Sequence, residues 1–162
     1  LDYKFPFGWK ELQGMANRTD FDLQQHIKVS KTDLSLFDND SNKKVVPHVV
    51  AEPSQGVERA MLVFLFDAYN YDKKRGNIVL KLHSKLAPVK IGIFPLATKL
   101  KDDGRKVYDS LKNDFMCQFD TAGSVGKRYA RSDEIGIPFC VTFDFDSLKD
   151  KQVTIRSRDT TK

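Results

Sequence analysis

Within eight residues, Glu52-Pro53-Ser54-Gln55-Gly56-Val57-Glu58-Arg59, the chain sets out a carboxylate, a hydroxyl and a guanidinium. The run Ala60-Met61-Leu62-Val63-Phe64-Leu65-Phe66 follows at once. A carboxylate is the partner an ammonium group needs, and a guanidinium fork matches phosphate or carboxylate oxygens. Proline and glycine break the chain before Val57, which predicts a helix from Val57 to about Tyr69. Its residues are apolar on every side, so the pattern predicts a buried helix rather than an amphipathic one. An arginine at the head of such a helix calls for an anion, because an unpaired guanidinium in low dielectric is costly. Two plainer readings stay open: Glu52 pairs with a nearby lysine on a solvated loop, and Arg59 is a surface residue.

A second concentration of chemistry lies near the C-terminus. Lys127, Arg128 and Arg131 precede Asp133 and Glu134, and Arg156 and Arg158 follow later. The net charge of +5 is uneven: residues 1–69 hold 8 Lys+Arg against 10 Asp+Glu, a net of −2, whereas residues 70–162 hold 19 against 12, a net of +7. Such asymmetry points to a polyanion on the second half, since neutralising phosphates releases condensed counterions. A lysine-rich soluble surface is the competing account. Gly123-Ser124-Val125-Gly126 suits the start of a helix, where free amides favour an anion. Asp133 and Glu134 read two ways: as hydrogen-bond acceptors for a bound polyanion's polar groups, or as ion-pair partners of Arg131 and Lys127 on one helix. Tyr129 reads as a core residue ahead of a base-stacking platform.

Other clusters are weaker. Asp22 and His26 lie four apart and share a helix face, which suits a local hydrogen bond better than a metal. Asp144 and Asp146 would point to one face of a strand, where a solvated or salt-bridged sheet edge outweighs acid–base work. The three histidines (His26, His48, His83) and two cysteines show no zinc-ligand spacing. No metal site is predicted.

The elements that must position these groups follow from pattern and punctuation. Trp9 to Ala16 alternates as a strand, with Gly14 marking a close approach. Thr19 to Val29 reads as a short helix capped by Thr19, with Asp20 and Asp22 in its first turn. Leu36 to Lys44 is a turn or hairpin loop, and Val45 to Val50 a short β-branched strand. Asn70 to Asn77, with Lys73-Lys74-Arg75-Gly76 at its centre, is polar, and the domain boundary falls there or slightly later. Beyond it strand and helix alternate. Val89–Phe94, Cys117–Phe119, Phe139–Phe145 and Val153–Arg156 are the strands. Leu100–Phe115 is an amphipathic helix with Val107, Leu111 and Phe115 on one face, and Ser124–Ile135 is a basic helix. That alternation implies a small α/β sheet with helices packed on it.

The order and spacing of these motifs resemble the glycyl-tRNA synthetases, class II aminoacyl-tRNA synthetases of the homodimeric type. Glu52 to Arg59 resembles their third signature motif. Gly8-Trp9-Lys10-Glu11-Leu12-Gln13-Gly14-Met15-Ala16-Asn17-Arg18-Thr19-Asp20-Phe21-Asp22-Leu23 is similar to the segment before it. Leu86-Ala87-Pro88-Val89-Lys90-Ile91 and Gly126-Lys127-Arg128-Tyr129-Ala130-Arg131-Ser132-Asp133-Glu134-Ile135-Gly136-Ile137-Pro138-Phe139 are similar to the anticodon-binding domain. The likeness covers nearly the whole chain apart from Asn70 to Asn77 and a few loops. It implies an α/β fold: residues 1–80 as an α+β piece of the antiparallel-sheet catalytic domain, and residues 81–162 as a small mixed-sheet anticodon-binding domain.

The resemblance also implies roles. Glu11 and Leu12 match an ATP-binding pair, and Gly56, Val57, Glu58 and Arg59 a second ATP-binding stretch, with Arg59 on phosphate. Glu52, Pro53, Ser54, Gln55 and Gly56 match the glycine-binding loop, Glu52 taking the substrate ammonium; Glu52 and Arg59 are the catalytic pair. Lys127, Arg128, Arg131, Asp133, Glu134, Arg156 and Arg158 are the anticodon-binding candidates. Glycine, ATP with Mg2+, glycine tRNA and a second copy of the whole enzyme are the implied partners. Two departures stand out. Pro47-His48-Val49-Val50-Ala51-Glu52 is one residue longer than the family's usual run, and motifs one and two, which build the dimer interface and grip the α-phosphate, are absent. A non-catalytic, synthetase-like accessory protein that binds nucleic acid is the alternative, and the retained pocket residues argue against it.

Size and composition bound the rest. A chain of 162 residues, 40% apolar and 30% charged, is globular and outside the disordered range. No window approaches the roughly 20 apolar residues that span a bilayer. Leu1-Asp2-Tyr3-Lys4-Phe5 lacks an initiating methionine and any signal-peptide layout, and reads as a cut into a longer protein. Cys117 and Cys140 are expected as buried thiols in a reducing cytoplasm.

Overall fold

The structure, a computed structural model, describes residues 1–162, which divide into two compact units, Leu1–Val63 and Phe64–Lys162. The first is built from two-stranded antiparallel ribbons. β1 (Asp2–Phe5) pairs with β2 (Gly8–Glu11), and β3 (Gln13–Ala16) turns away after Leu12 to pair with the distant β6 (Glu52–Gln55). The predicted single strand Trp9–Ala16 is therefore two strands with different partners. Between them lie α1 (Phe21–Ser30) and a hairpin of β4 (Leu36–Asp38) and β5 (Lys43–Val45), the last in the stretch expected to turn.

Three local expectations are corrected here. Thr19 does not cap α1: it sits at φ 55° and bridges Val49, and Asp20 takes the cap position without a side-chain bond. Val45–Val50 is not a strand, because Pro47 interrupts it after β5; the strand forms instead at Glu52–Gln55. The helix, α2 (Val57–Ala68), starts where proline and glycine place it but is not buried. Val57, Met61, Phe64, Leu65 and Phe66 are all exposed, and Ala68 alone is buried. The reason is physical: Phe5 is the one buried hydrophobic residue of Leu1–Val63, and two-stranded ribbons offer too little apolar face to cover a helix.

The second unit holds a broader sheet. A hairpin of β7 (Tyr69–Asp72) and β8 (Asn77–Leu80) precedes a four-stranded sheet of order β10–β9–β11–β12. Here β9 is Ile91–Pro95, β10 Cys117–Phe119, β11 Phe139–Phe143 and β12 Thr154–Ser157. β9 runs parallel to both β10 and β11, and β12 closes the edge antiparallel. A 3-10 turn (Thr98–Leu100) leads into α3 (Lys101–Leu111), which joins β9 to β10; α4 (Val125–Glu134) joins β10 to β11, and the short α5 (Ser147–Asp150) precedes β12. This is the alternation predicted from pattern. The differences are that α3 stops at Leu111, leaving Phe115 exposed beyond it, and that Asp144 leaves the strand to accept bonds from Asp146, Ser147 and the Ser147 hydroxyl at the head of α5.

Phe94, Ile137 and Cys140 form the core, with Val89, Val125 and Tyr129 packed against it. Tyr129 stands edge-on to Phe94 at 5.5 Å, and its hydroxyl meets Thr142 Oγ1 at 2.5 Å. The core reading of Tyr129 holds. Cys117 is level with Ile91 and Cys140 with Gly92, so the thiols lie on either side of β9 and on opposite faces. Two strand spacings of about 4.8 Å exceed what a disulfide can bridge. Both thiols are free, Cys140 buried and Cys117 half-buried, and burial pushes the Cys140 thiol up to about 11.

Two glycines have a geometric reason to be there. Gly136 adopts φ +80° against the Leu80 carbonyl, and a Cβ on Gly92 would lie 2.8 Å from Phe94 Cζ. Phe94 is fully buried and cannot swing aside. Gly92→Ala is therefore expected to cost about 1–3 kcal/mol through overpacking. Urea unfolding should show a lower midpoint at an unchanged slope, and a shift below ~0.5 kcal/mol would mean that the ring moves at little cost.

Candidate functional site

In the first unit the ladder β3–β6 builds a face from sequence-distant residues. Gly14 lies opposite Ser54 and Ala16 opposite Glu52, and alternation puts these four on one side, with Met15 and Pro53 on the other. Thr19 bridges Val49 in the same register, three residues beyond Ala16 and three before Glu52. The residue that lengthens Pro47–Glu52 thus adds no bulge at Glu52. A carboxylate and a hydroxyl rise from one strand across from a glycine and an alanine, and Glu11 Oε1 lies 3.6 Å from where a Cβ on Gly14 would stand.

Charge closes this face at one end. Arg18, two residues beyond Ala16, holds Asp22 through Nε and Nη2 at 2.8 and 2.7 Å, and its Nε lies 3.1 Å from Glu52 Oε2. The hydrogen bond from Arg18 keeps the Asp22 carboxyl below the ordinary carboxylate range. Asp22 therefore pairs with Arg18, not with His26. Glu52 finds a cation on the neighbouring strand extension, an arginine where sequence reasoning weighed a lysine. At the other end Glu11 finishes β2, and its carbonyl accepts a short bond from Arg59 Nη1 in the first turn of α2. Glu11, Leu12, Glu52–Gly56 and Arg59, scattered over 49 positions, are gathered into one unit. No set of three or more His, Cys, Asp or Glu side chains converges as a metal site.

In the second unit α4 carries most of the anticodon-binding candidates, and their fates diverge. Ser124 caps the helix by accepting from the Lys127 amide at 3.4 Å, which leaves Lys127 exposed at its head. Arg131 grips Asp120 at 2.6 Å and the Ala122 carbonyl at 2.7 Å, yet stays on the surface. Burial raises the Asp120 carboxyl, but the Ala122 amide and Arg131 outweigh it and hold it below the usual range. Glu134 is exposed, without an ion-pair partner. The others turn inward. Arg128 donates to the carbonyls of Pro95, Thr121 and Gly123.

Asp133, 2% exposed, accepts from Arg156 at 2.9 Å through both oxygens and from Arg75 Nη1 at 3.1 Å. Neither Arg131 nor Lys127 is its partner. That bond favours the charged form of Arg156, whose guanidinium also lies over the Tyr129 ring at 4.8 Å. Arg158 is equally buried. Its Nη1 donates to the carbonyls of Leu80 and Gly136 and its Nη2 to that of Leu82, at 2.8–3.0 Å. Arg18 and Arg75 are the residues sequence reasoning missed. Arg18 had a signal in its i,i+4 spacing to Asp22 and Arg75 in its i,i+3 spacing to Asp72, whereas the partners of Arg75 that lie 58 and 83 residues away had none.

Comparison with known proteins covers both halves of the chain. The family described as "Anticodon binding domain" matches residues 87–162. The chain is 54% identical to a glycine–tRNA ligase of Acetivibrio thermocellus, over 98% of the chain and 35% of the relative. It is 53% identical to a glycine–tRNA ligase of Macrococcus caseolyticus, over 99% of the chain and again 35% of the relative. The chain thus spans about a third of the length of the curated relatives it matches.

Proposed function

We propose, for a chain that belongs to the glycine–tRNA ligase family, that the whole protein activates glycine with ATP and transfers it to the 3′ end of glycine tRNA. In the first step glycine's carboxylate oxygen attacks the ATP α-phosphate and pyrophosphate leaves; in the second the acyl group passes to the tRNA. Side chains then serve by positioning and by stabilising charge. The observation that carries this reading is the face shared by Gly14, Ala16, Glu52 and Ser54. A substrate without a side chain needs a carboxylate for its ammonium, and this face carries Glu52 beside the small residues Gly14 and Ala16.

Glu52 takes the ammonium in place of Arg18, while Pro53, Ser54, Gln55 and Gly56 close the pocket. Arg59 takes phosphate oxygens, with Glu11, Leu12, Val57 and Glu58 as the remaining ATP contacts; Glu52 and Arg59 are the catalytic pair. Mg2+ comes with the nucleotide's phosphates. Residues 1–80 are proposed as the catalytic-domain piece and residues 81–162 as the anticodon-binding domain. Without motifs one and two this chain alone does not activate glycine, and the whole protein is proposed to act as a homodimer in the cytoplasm. No helix here is long and apolar enough to cross a membrane.

For the anticodon, Lys127, Arg131 and Glu134 are the proposed direct contacts, because they are exposed along one helix. Arg128, Asp133, Arg156 and Arg158 belong to the same site as the residues that shape its surface. The test is binding of this chain to glycine tRNA and to the same tRNA with its second and third anticodon cytosines replaced, across a salt series. Reading of base edges should weaken binding by about 1–3 kcal/mol per replaced base. Equal binding, with a salt-dependent slope alone, would favour the accessory nucleic-acid-binding protein instead.

A further inference from the structure

Arg128 is the strangest of the cations on α4. It sits in the first turn, where the helix dipole disfavours positive charge, and it is 6% exposed. Its Nη1 donates to the Pro95 carbonyl at 2.6 Å, and its Nη2 to those of Thr121 at 3.0 Å and Gly123 at 2.7 Å. Pro95 ends β9, and Thr121 and Gly123 lie in the loop after β10. Both loops stand at the carboxyl ends of parallel strands, where β9 sends its chain towards β10 on one side and the chain then returns to β11 on the other. A cleft of about 110 Å³ opens there between Pro95, Ala97, Thr98, Lys101, Thr121 and Arg128.

A buried guanidinium spent on three carbonyls is not available to a phosphate. It is suited to something else: a planar fork holds two loops at a fixed separation, which a lysine's single nitrogen cannot do. We infer that Arg128 is a positioning residue for anticodon reading. It ties the loop after β9 to the loop after β10 without touching the tRNA, so that Arg131 and the rim of the cleft face the bases, and Lys127 a backbone phosphate, in one arrangement. Arg131 reinforces the second loop from outside through Asp120 and Ala122. Nε of Arg128 has no partner, so the grip is carried by the two terminal nitrogens alone. The inference rests on the anticodon reading proposed above.

The experiment compares the 162-residue chain with its R128K and K127A variants, each titrated with glycine tRNA and with the cytosine-replaced tRNA across a salt series. Circular dichroism first checks that each variant is folded at the assay temperature. For R128K the expected result is an unchanged salt slope with discrimination between the two tRNAs reduced to within about twofold. K127A should show the converse, a slope reduced by about one with discrimination kept, as for a lost phosphate contact. An R128K slope reduced by about one with discrimination intact would make Arg128 a direct contact. Retention of both slope and discrimination would make it a core filler. Either outcome overturns the inference.

A measurement on the unmutated chain covers the case in which R128K does not fold. The Arg128 guanidinium NMR signals should keep their positions when tRNA is added, while those of Arg131 move; movement of comparable size at Arg128 overturns the proposal. If the unmutated chain itself fails to discriminate, the anticodon reading falls and this inference with it. Discrimination kept by R128K sinks the inference alone.

Discussion

Replacing Asp133 by alanine should destabilise residues 64–162 by about 3–5 kcal/mol, the range for stranding buried charge. Both carboxylate oxygens are in use: Arg156 meets one at 2.9 Å with each terminal nitrogen, and Arg75 reaches the second oxygen at 3.1 Å. The Arg156 side chain is only 14% exposed and would lose its one carboxylate partner where water reaches it poorly, whereas Arg75, 16% exposed, keeps Asp72 at 3.3 Å. Asp133→Asn separates shape from charge. It keeps the volume and one acceptor, and should recover part of the loss. Urea unfolding of the three proteins measures this directly, and a loss below ~1 kcal/mol for alanine would show that the two guanidinium groups swing out to solvent. The loss should vary little between low and high salt, since buried pairs are weakly screened.

The second large effect is expected at Arg158. Arg158→Met preserves length and apolar stem but leaves the carbonyls of Leu80, Leu82 and Gly136 without their donor. An unsatisfied buried acceptor costs about 1–3 kcal/mol, and relaxation should keep the total near the single-site upper end, about 3 kcal/mol. Hydrogen exchange should report the change locally, with faster exchange in β8 and around Gly136 than in β9. Uniform acceleration over the whole sheet would argue that Arg158 supports the fold as one unit rather than this joint. Arg158→Lys, with one nitrogen for three acceptors, should fall between the two.

The sheet of the second unit was legible because its strands and helices carry their own periods. Cys117–Phe119 appears at its predicted bounds, and the basic helix differs by one residue at each end. Local pattern worked there because each element buries its apolar face against its sequence neighbours. It failed for α2, since an apolar run states what a helix would bury, not whether anything covers it. The candidate site was legible as a list but not as a set of contacts. Glu52 and Arg59 were found from their neighbours in sequence, whereas Arg18 on Glu52 depends on the register of β3 against β6. In the same way Asp133, Arg156 and Arg158 share the composition of a surface patch. Their inward orientation follows from long-range pairing with Arg75 and with backbone carbonyls.

That Arg158 grips main-chain oxygens has a consequence for how this molecule can change. Every residue offers the same carbonyl, so outside Gly136, whose φ of +80° calls for glycine, the seam among the β8 end, the Leu82 segment and the Gly136 turn is indifferent to which side chains flank it. Substitutions at Leu80 or Leu82 that respect volume leave the knot tied, while loss of one arginine unties all three strands of it. The joint is robust to drift on one side and brittle on the other, and variation in related chains should collect around Arg158 rather than at it.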